Sequence, residues 1–85
     1  MKKFTYQITD AQGIHARPAG LLTQEAKRFS SSVKICKGNI EADAKRIFSV
    51  MGLAAKQGET VSVTAEGGDE EQAAAALEAF FKKNL

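Results

Sequence analysis

One cysteine, one histidine and one proline are all that 85 residues contain of those three types. A solitary thiol, Cys36, rules out an internal disulfide and cannot build a structural zinc site. It suits a reducing cytoplasm and reads as a small strand residue. No stretch approaches the roughly 20 apolar residues of a membrane span, so no membrane insertion is expected. The opening MKKFTYQITD has two lysines and no apolar run behind them, and is not read as a signal peptide. Charge of one sign is missing too. Twelve basic and ten acidic residues leave +2, too balanced to announce nucleic acid. Repeats, linkers and low-complexity tracts are absent apart from an AAAA run near the C-terminal end. Nothing calls for a metal or a cofactor.

What is present reads as one domain over residues 1–85, with 44% apolar residues for a modest core. Lys3 to Thr9 alternates Phe4, Tyr6 and Ile8 against polar neighbours, the pattern of a half-buried strand. Asp10 to Gly13 is a turn. Ala16 to Phe29 then takes helical spacing, with Ala19, Leu22, Ala26 and Phe29 on one face, and Ser30 to Ser32 closes it. Pro18 is tolerated because the first turn has no intrahelical partner for its N–H groups. Val33–Cys36 and Ile40–Ala42 read as strands joined at Lys37-Gly38-Asn39. A short helix is expected from about Arg46 to Lys56, ending near Gly58. A strand follows over Glu59–Glu66, and then a helix with Asp69 as N-cap and Glu70 and Glu71 in its first turn. Its apolar face takes Ala73, Ala76, Leu77 and Phe80 or Phe81. The order is β-α-β-β-α-β-α, and three helices segregated over one face of a small antiparallel sheet is the layered solution.

The stretch GIHARPAG at 13–20 gathers His15, Arg17 and Pro18 beside two glycines. With the helix starting near Ala16, the imidazole sits at or just before the N-cap. The amides of Ala16 and Arg17 then point out of the helix end, where the macrodipole places partial positive charge. Such an end binds anions. Arg17 adds a guanidinium that forks onto phosphate oxygens, Pro18 stiffens the turn, and Gly13 and Gly20 keep bulk away. An unprotonated imidazole is a nucleophile. A phosphoryl group on its ring would hang over the donors best placed to stabilise it. A surface histidine beside an incidental arginine is the plainer account, and it leaves the coincidence with the helix start unexplained.

Two surfaces adjoin this cluster. Arg17, Gly20, Gln24 and Lys27 share a helix face, either simply solvated or a landing strip for an acidic partner. In KRIFSVMGLAAK, Ile47, Phe48, Met51 and Ala55 occupy one arc, and Val50, Leu53 and Ala54 another. A domain this small has little room to bury both. One arc should pack on the sheet and the other should show to solvent as an interaction patch.

GIHARPAG, the basic amphipathic helix and KRIFSVMGLAAKQGETVSV together resemble the HPr family of the bacterial sugar phosphotransferase system, over essentially the whole chain. The resemblance implies an α+β open-faced β-sandwich, a four-stranded antiparallel sheet covered on one face by three helices. It implies a phosphocarrier in which His15 takes a phosphoryl group on Nδ1 from phospho-enzyme I, charged by phosphoenolpyruvate, and gives it to enzyme IIA domains of sugar permeases. The Ala16 and Arg17 amides and the Arg17 side chain would hold the group. Ile47, Phe48 and Met51 would form the patch docked by both partners. A cytoplasmic monomer without cofactor is implied, an intermediate in phosphoryl transfer rather than a stand-alone catalyst.

One departure stands out. Gram-positive relatives carry a kinase-phosphorylated serine where this chain has Arg46, which offers no hydroxyl, so no regulatory site is expected there. Ser49, one turn on, reads as a polar spot on an apolar helix. A second function class is a regulatory binding module that docks partners through Ile47, Phe48 and Met51 without carrying sugar-uptake flux. The complete His15-Arg17-Pro18 set is what such a module would not need.

Overall fold

The computed structural model describes all residues, Met1–Leu85, as β1 (Lys2–Gln7), α1 (Ala16–Lys27), β2 (Ser32–Lys37), β3 (Ile40–Asp43), α2 (Ile47–Gly52), β4 (Thr60–Glu66) and α3 (Glu70–Asn84). The four strands form one antiparallel sheet in the order β1-β4-β2-β3. Alternation sets its two faces. Val61, Val63 and Ala65 of β4 are buried, as are Val33 and Ile35 of β2, while the residues between them reach the other side. Because side chains alternate every residue, this register puts Val33, Ile35, Val61, Val63 and Ala65 under the helices at once. Leu22 and Ala26 of α1 and Ala73, Leu77 and Phe81 of α3 meet them there. Phe81 stands edge-on to Phe4 at 5.8 Å and to Tyr6 at 5.5 Å, tying β1 to α3. The β2–β3 hairpin turns through Gly38-Asn39, with Gly38 at φ +59°.

Several boundaries differ from the sequence expectation. β1 ends at Gln7, and Ile8, although buried, lies beyond the ladder. α1 ends at Lys27, so Phe29 leaves the helix and is only half-buried, with the Arg28 guanidinium 5.6 Å from its ring centroid. α2 is six residues long instead of eleven. The chain leaves it through Ala54 at φ +50°, a conformation that a helix cannot continue through. This break rotates the following residues. Ala55, expected on the exposed arc, is buried, and Ala54, expected on the inner one, faces solvent.

Asp69 is the N-cap of α3, but its carboxylate does not cap that helix. Instead it accepts the backbone N–H groups of Ser30 and Ser31, both at 2.9 Å, and the Ser31 hydroxyl. Glu70 Oε1 receives the Gly67 N–H at 3.1 Å on the helix side. The hydroxyl of Ser31 first, then the Ser30 amide, hold the Asp69 carboxyl down to about 2 from 3.8. A group depressed on folding stabilises above its unfolded value and loses that contribution as pH falls through the folded one. Thermal unfolding followed by circular dichroism should therefore show stability falling between pH 3.8 and about 2. Asp69→Asn should flatten that slope. A variant with the parent's slope over this window would remove Asp69 from the account.

Candidate functional site

α1 starts where the sequence pattern places it. His15 is its N-cap, extended at φ −99° and ψ −175°, and its imidazole makes no capping hydrogen bond. Its carbonyl accepts the Ala19 N–H at 2.9 Å, closing the first turn. The amides of Ala16 and Arg17 donate to no backbone or side-chain acceptor in the protein. No acidic residue occupies the first turn to satisfy them. Arg17 is exposed, and no carboxylate lies within ion-pair distance of its guanidinium. The helix end thus presents two free N–H groups and an unneutralised cation beside a half-exposed imidazole. That arrangement can hold an anion carried on the ring.

The loop leading into His15 is held by backbone contacts. Asp10 N donates to Leu85 O at 2.8 Å, Gly13 N to Asp10 O at 2.9 Å, and Ile14 N to Ala55 O at 2.9 Å. Gly13, at φ +66°, is buried against the segment after α2, and a Cβ there would lie 2.2 Å from Ala55 O. Its missing side chain therefore lets the loop dock on the 55–56 backbone, and does not clear space for a bound anion as expected. Gly20 faces α2 with room for a side-chain carbon. A Cβ on it would sit 3.7 Å from Ile47 Cδ1, so α1 and α2 meet here, and the basic face runs into the apolar patch.

On that joint surface the structure brings most of the expected residues together. Arg17, Gln24 and Lys27 are exposed, Ile47 is half-buried, Phe48 is 85% exposed and Met51 is 37% exposed. Val50 and Leu53 turn inward to the core. The two-arc reading of the short helix holds for these residues and fails after Leu53, where the chain has left the helix. Arg46 is the N-cap of α2, exposed, with Nε 3.8 Å from Asp43. Ser49 is half-buried.

Beside His15 lies an open cleft of about 240 Å³ lined by Asp10, His15, Arg17, Pro18, Leu21, Lys83 and Asn84. Four of these were absent from the expected site. Leu21 carried a signal, since it neighbours Gly20 on the outer side of α1 and is 41% exposed. Asp10 was legible only as a turn residue, and Lys83 and Asn84 only as the end of a helix. The Leu85 carbonyl accepts the Thr9 and Asp10 N–H groups and the Thr9 hydroxyl, and these bonds hold that end over the cleft. No three His, Cys, Asp or Glu side chains come together as a metal-holding group would need. No helix is long and apolar enough to cross a membrane.

Comparison with known proteins gives this geometry its relatives. A family model described as "PTS HPr component phosphorylation site" matches residues 2–83. The phosphocarrier protein HPr of Mycoplasma genitalium is 41% identical over 85 residues, covering 99% of this chain and 97% of that protein. The solved structure of a histidine-containing phosphocarrier protein from Mycoplasma superimposes with a TM-score of 0.94 at 38% identity, over 96% of this chain and 93% of that one. The HPr-like protein Crh of Halalkalibacterium halodurans is 45% identical over 71 residues, 84% of each chain.

Proposed function

This chain belongs to the HPr phosphocarrier family of the phosphotransferase system, and from that membership we propose that His15 is its phosphoryl carrier. The imidazole takes a phosphoryl group on Nδ1 from phospho-enzyme I, charged by phosphoenolpyruvate. It then gives the group to enzyme IIA domains of sugar permeases, in the cytoplasm and as a monomer. The observation that carries this reading is the pairing of an uncapped His15 imidazole with the free Ala16 and Arg17 amides and an unpaired Arg17 guanidinium. Charge on the phosphoryl oxygens is met by donors already in place, so little reorganisation accompanies transfer. The test is incubation with enzyme I and phosphoenolpyruvate, read by intact mass.

Docking falls to the surface that α1 and α2 share. Both partners must approach His15 from outside, and Phe48 is the most exposed large apolar side chain on the molecule. Arg17 and Lys27 are exposed on α1, which meets α2 at Gly20 and Ile47, and positive charge there speeds encounter with an acidic surface. An exposed Phe48 predicts a separation of effects. Phe48→Ala should leave thermal stability nearly unchanged, within about 0.5 kcal/mol, as surface substitutions do. A buried phenylalanine would cost about 3–5 kcal/mol on truncation. The same variant should bind enzyme I several-fold more weakly, because aromatic residues at a contact's centre carry much of its energy. Calorimetry of the variant and titration against enzyme I check the two halves. Marked destabilisation, or unchanged binding, would remove Phe48 from the docking surface.

A regulatory module that docks through Ile47, Phe48 and Met51 without carrying flux would need this patch but not the His15-Arg17-Pro18 set. The intact set favours the carrier. The position of Arg46 excludes one form of regulation by chemistry alone, since a guanidinium offers a kinase no hydroxyl to phosphorylate.

A further inference from the structure

Asp10 is the one carboxylate in contact with the His15 ring. Its Oδ1 lies 3.9 Å from His15 Nε2, beyond a direct hydrogen bond but within ion-pair range, and both side chains are about one-third exposed. The carboxylate is not a floating surface charge. The same Oδ1 accepts the Gln12 N–H at 2.8 Å, the Asp10 carbonyl accepts the Gly13 N–H, and the Asp10 N–H donates to Leu85 O. Three hydrogen bonds therefore fix where the negative charge sits. No lysine or arginine lies within ion-pair distance of it, although Arg17 and Lys83 line the same cleft.

We propose that Asp10 is a positioning residue that keeps the His15 proton on Nε2 and so leaves the Nδ1 lone pair free for the phosphoryl group. This rests on the reading of His15 as the carrier. In the transfer, the Nδ1 lone pair forms a bond to phosphorus while the phosphorus–nitrogen bond to the donor histidine breaks. That electron pair returns to the donor nitrogen. No proton moves at His15, because Nε2–H keeps its own throughout. The ring gains a formal positive charge as the new bond forms, and Asp10 faces the nitrogen that shares it. Two consequences follow for one carboxylate. It selects the nucleophilic tautomer before transfer, and it stabilises the phosphorylated ring afterwards. Arg17 and the helix amides act on the phosphoryl oxygens at the other end of the same group.

Asp10→Asn separates this role from the turn, since an asparagine oxygen can still accept the Gln12 N–H. The chain is brought to equilibrium with enzyme I and limiting phosphoenolpyruvate, and its phosphorylated-to-free ratio is read by intact mass. At low salt the ratio in Asp10→Asn should fall by up to about fivefold, the factor that a charge pair roughly 4 Å apart gives in water. In 1 M salt, with a screening length of about 3 Å, the difference should largely close. Nitrogen-15 NMR of His15 should show more of the Nδ1–H tautomer in the variant. Equal ratios at low salt, an unchanged tautomer population, or a deficit that salt does not reduce would each overturn the proposal while leaving His15 as carrier. No adduct on the parent chain would overturn both.

Discussion

His15→Ala is expected to abolish the phosphoryl adduct completely and to leave the fold intact. On incubation with enzyme I and phosphoenolpyruvate, the parent chain should gain one phosphoryl group. His15 is the only histidine, so no second imidazole can take over the label. The adduct should be acid-labile, because protonating a phosphoramidate nitrogen turns it into a good leaving group. Phosphoserine and phosphothreonine esters survive the same treatment. The fold should tolerate the change because the imidazole contributes no capping bond to α1. Truncating an N-cap that does bond its helix costs roughly 1 kcal/mol, and here that bond is already missing. The first turn is closed by the His15 carbonyl, which alanine retains. An acid-stable adduct, or label that survives His15→Ala, would place the phosphoryl group on another residue and end the carrier reading.

The elements of this fold were legible because local patterns and the global layering agree. Phe4, Tyr6 and Ile8 alternate in sequence and all turn toward the core side in the structure. Leu22 and Ala26 follow helical spacing and are fully buried. The start of α1 was legible for a further reason. The proline fixes the backbone at the only turn of a helix that accepts one, and it leaves His15 as the cap. What escaped the sequence was set by contacts between distant segments. Asp69 carries an N-cap pattern, yet its oxygens go to Ser30 and Ser31. Gly13 looked like spare room near the histidine, and only its contact with Ala55 reveals a packing role. Ala54 has a left-handed backbone that propensity would not assign to alanine, and that single residue halves the expected length of α2. Lys83 and Asn84 of α3 reach the cleft beside His15 through a fold-back that no local pattern encodes.

Arg17→Glu should slow phosphoryl transfer more than any other substitution that leaves His15 in place. Removing one preorganised donor from a developing oxyanion typically costs about 10²- to 10³-fold, and the glutamate adds a like charge beside the incoming group. Arg17→Lys keeps the charge but loses the planar fork. It should still slow transfer, about tenfold, with less effect on binding to enzyme I than on the rate of the bound complex. Neither variant should disturb folding, since Arg17 is exposed and pairs with no carboxylate. The same absence of a partner makes the guanidinium available, because no internal ion pair must break before it meets a phosphoryl oxygen. Rapid-quench transfer from phospho-enzyme I at saturating concentrations isolates the bound step from encounter. A lost landing strip would appear instead as weaker association that salt abolishes in the parent as well. Loss confined to the bound rate assigns Arg17 to the phosphoryl group. Loss confined to association would make it part of the docking face alone. Equal rates for the parent and Arg17→Glu would return it to solvent.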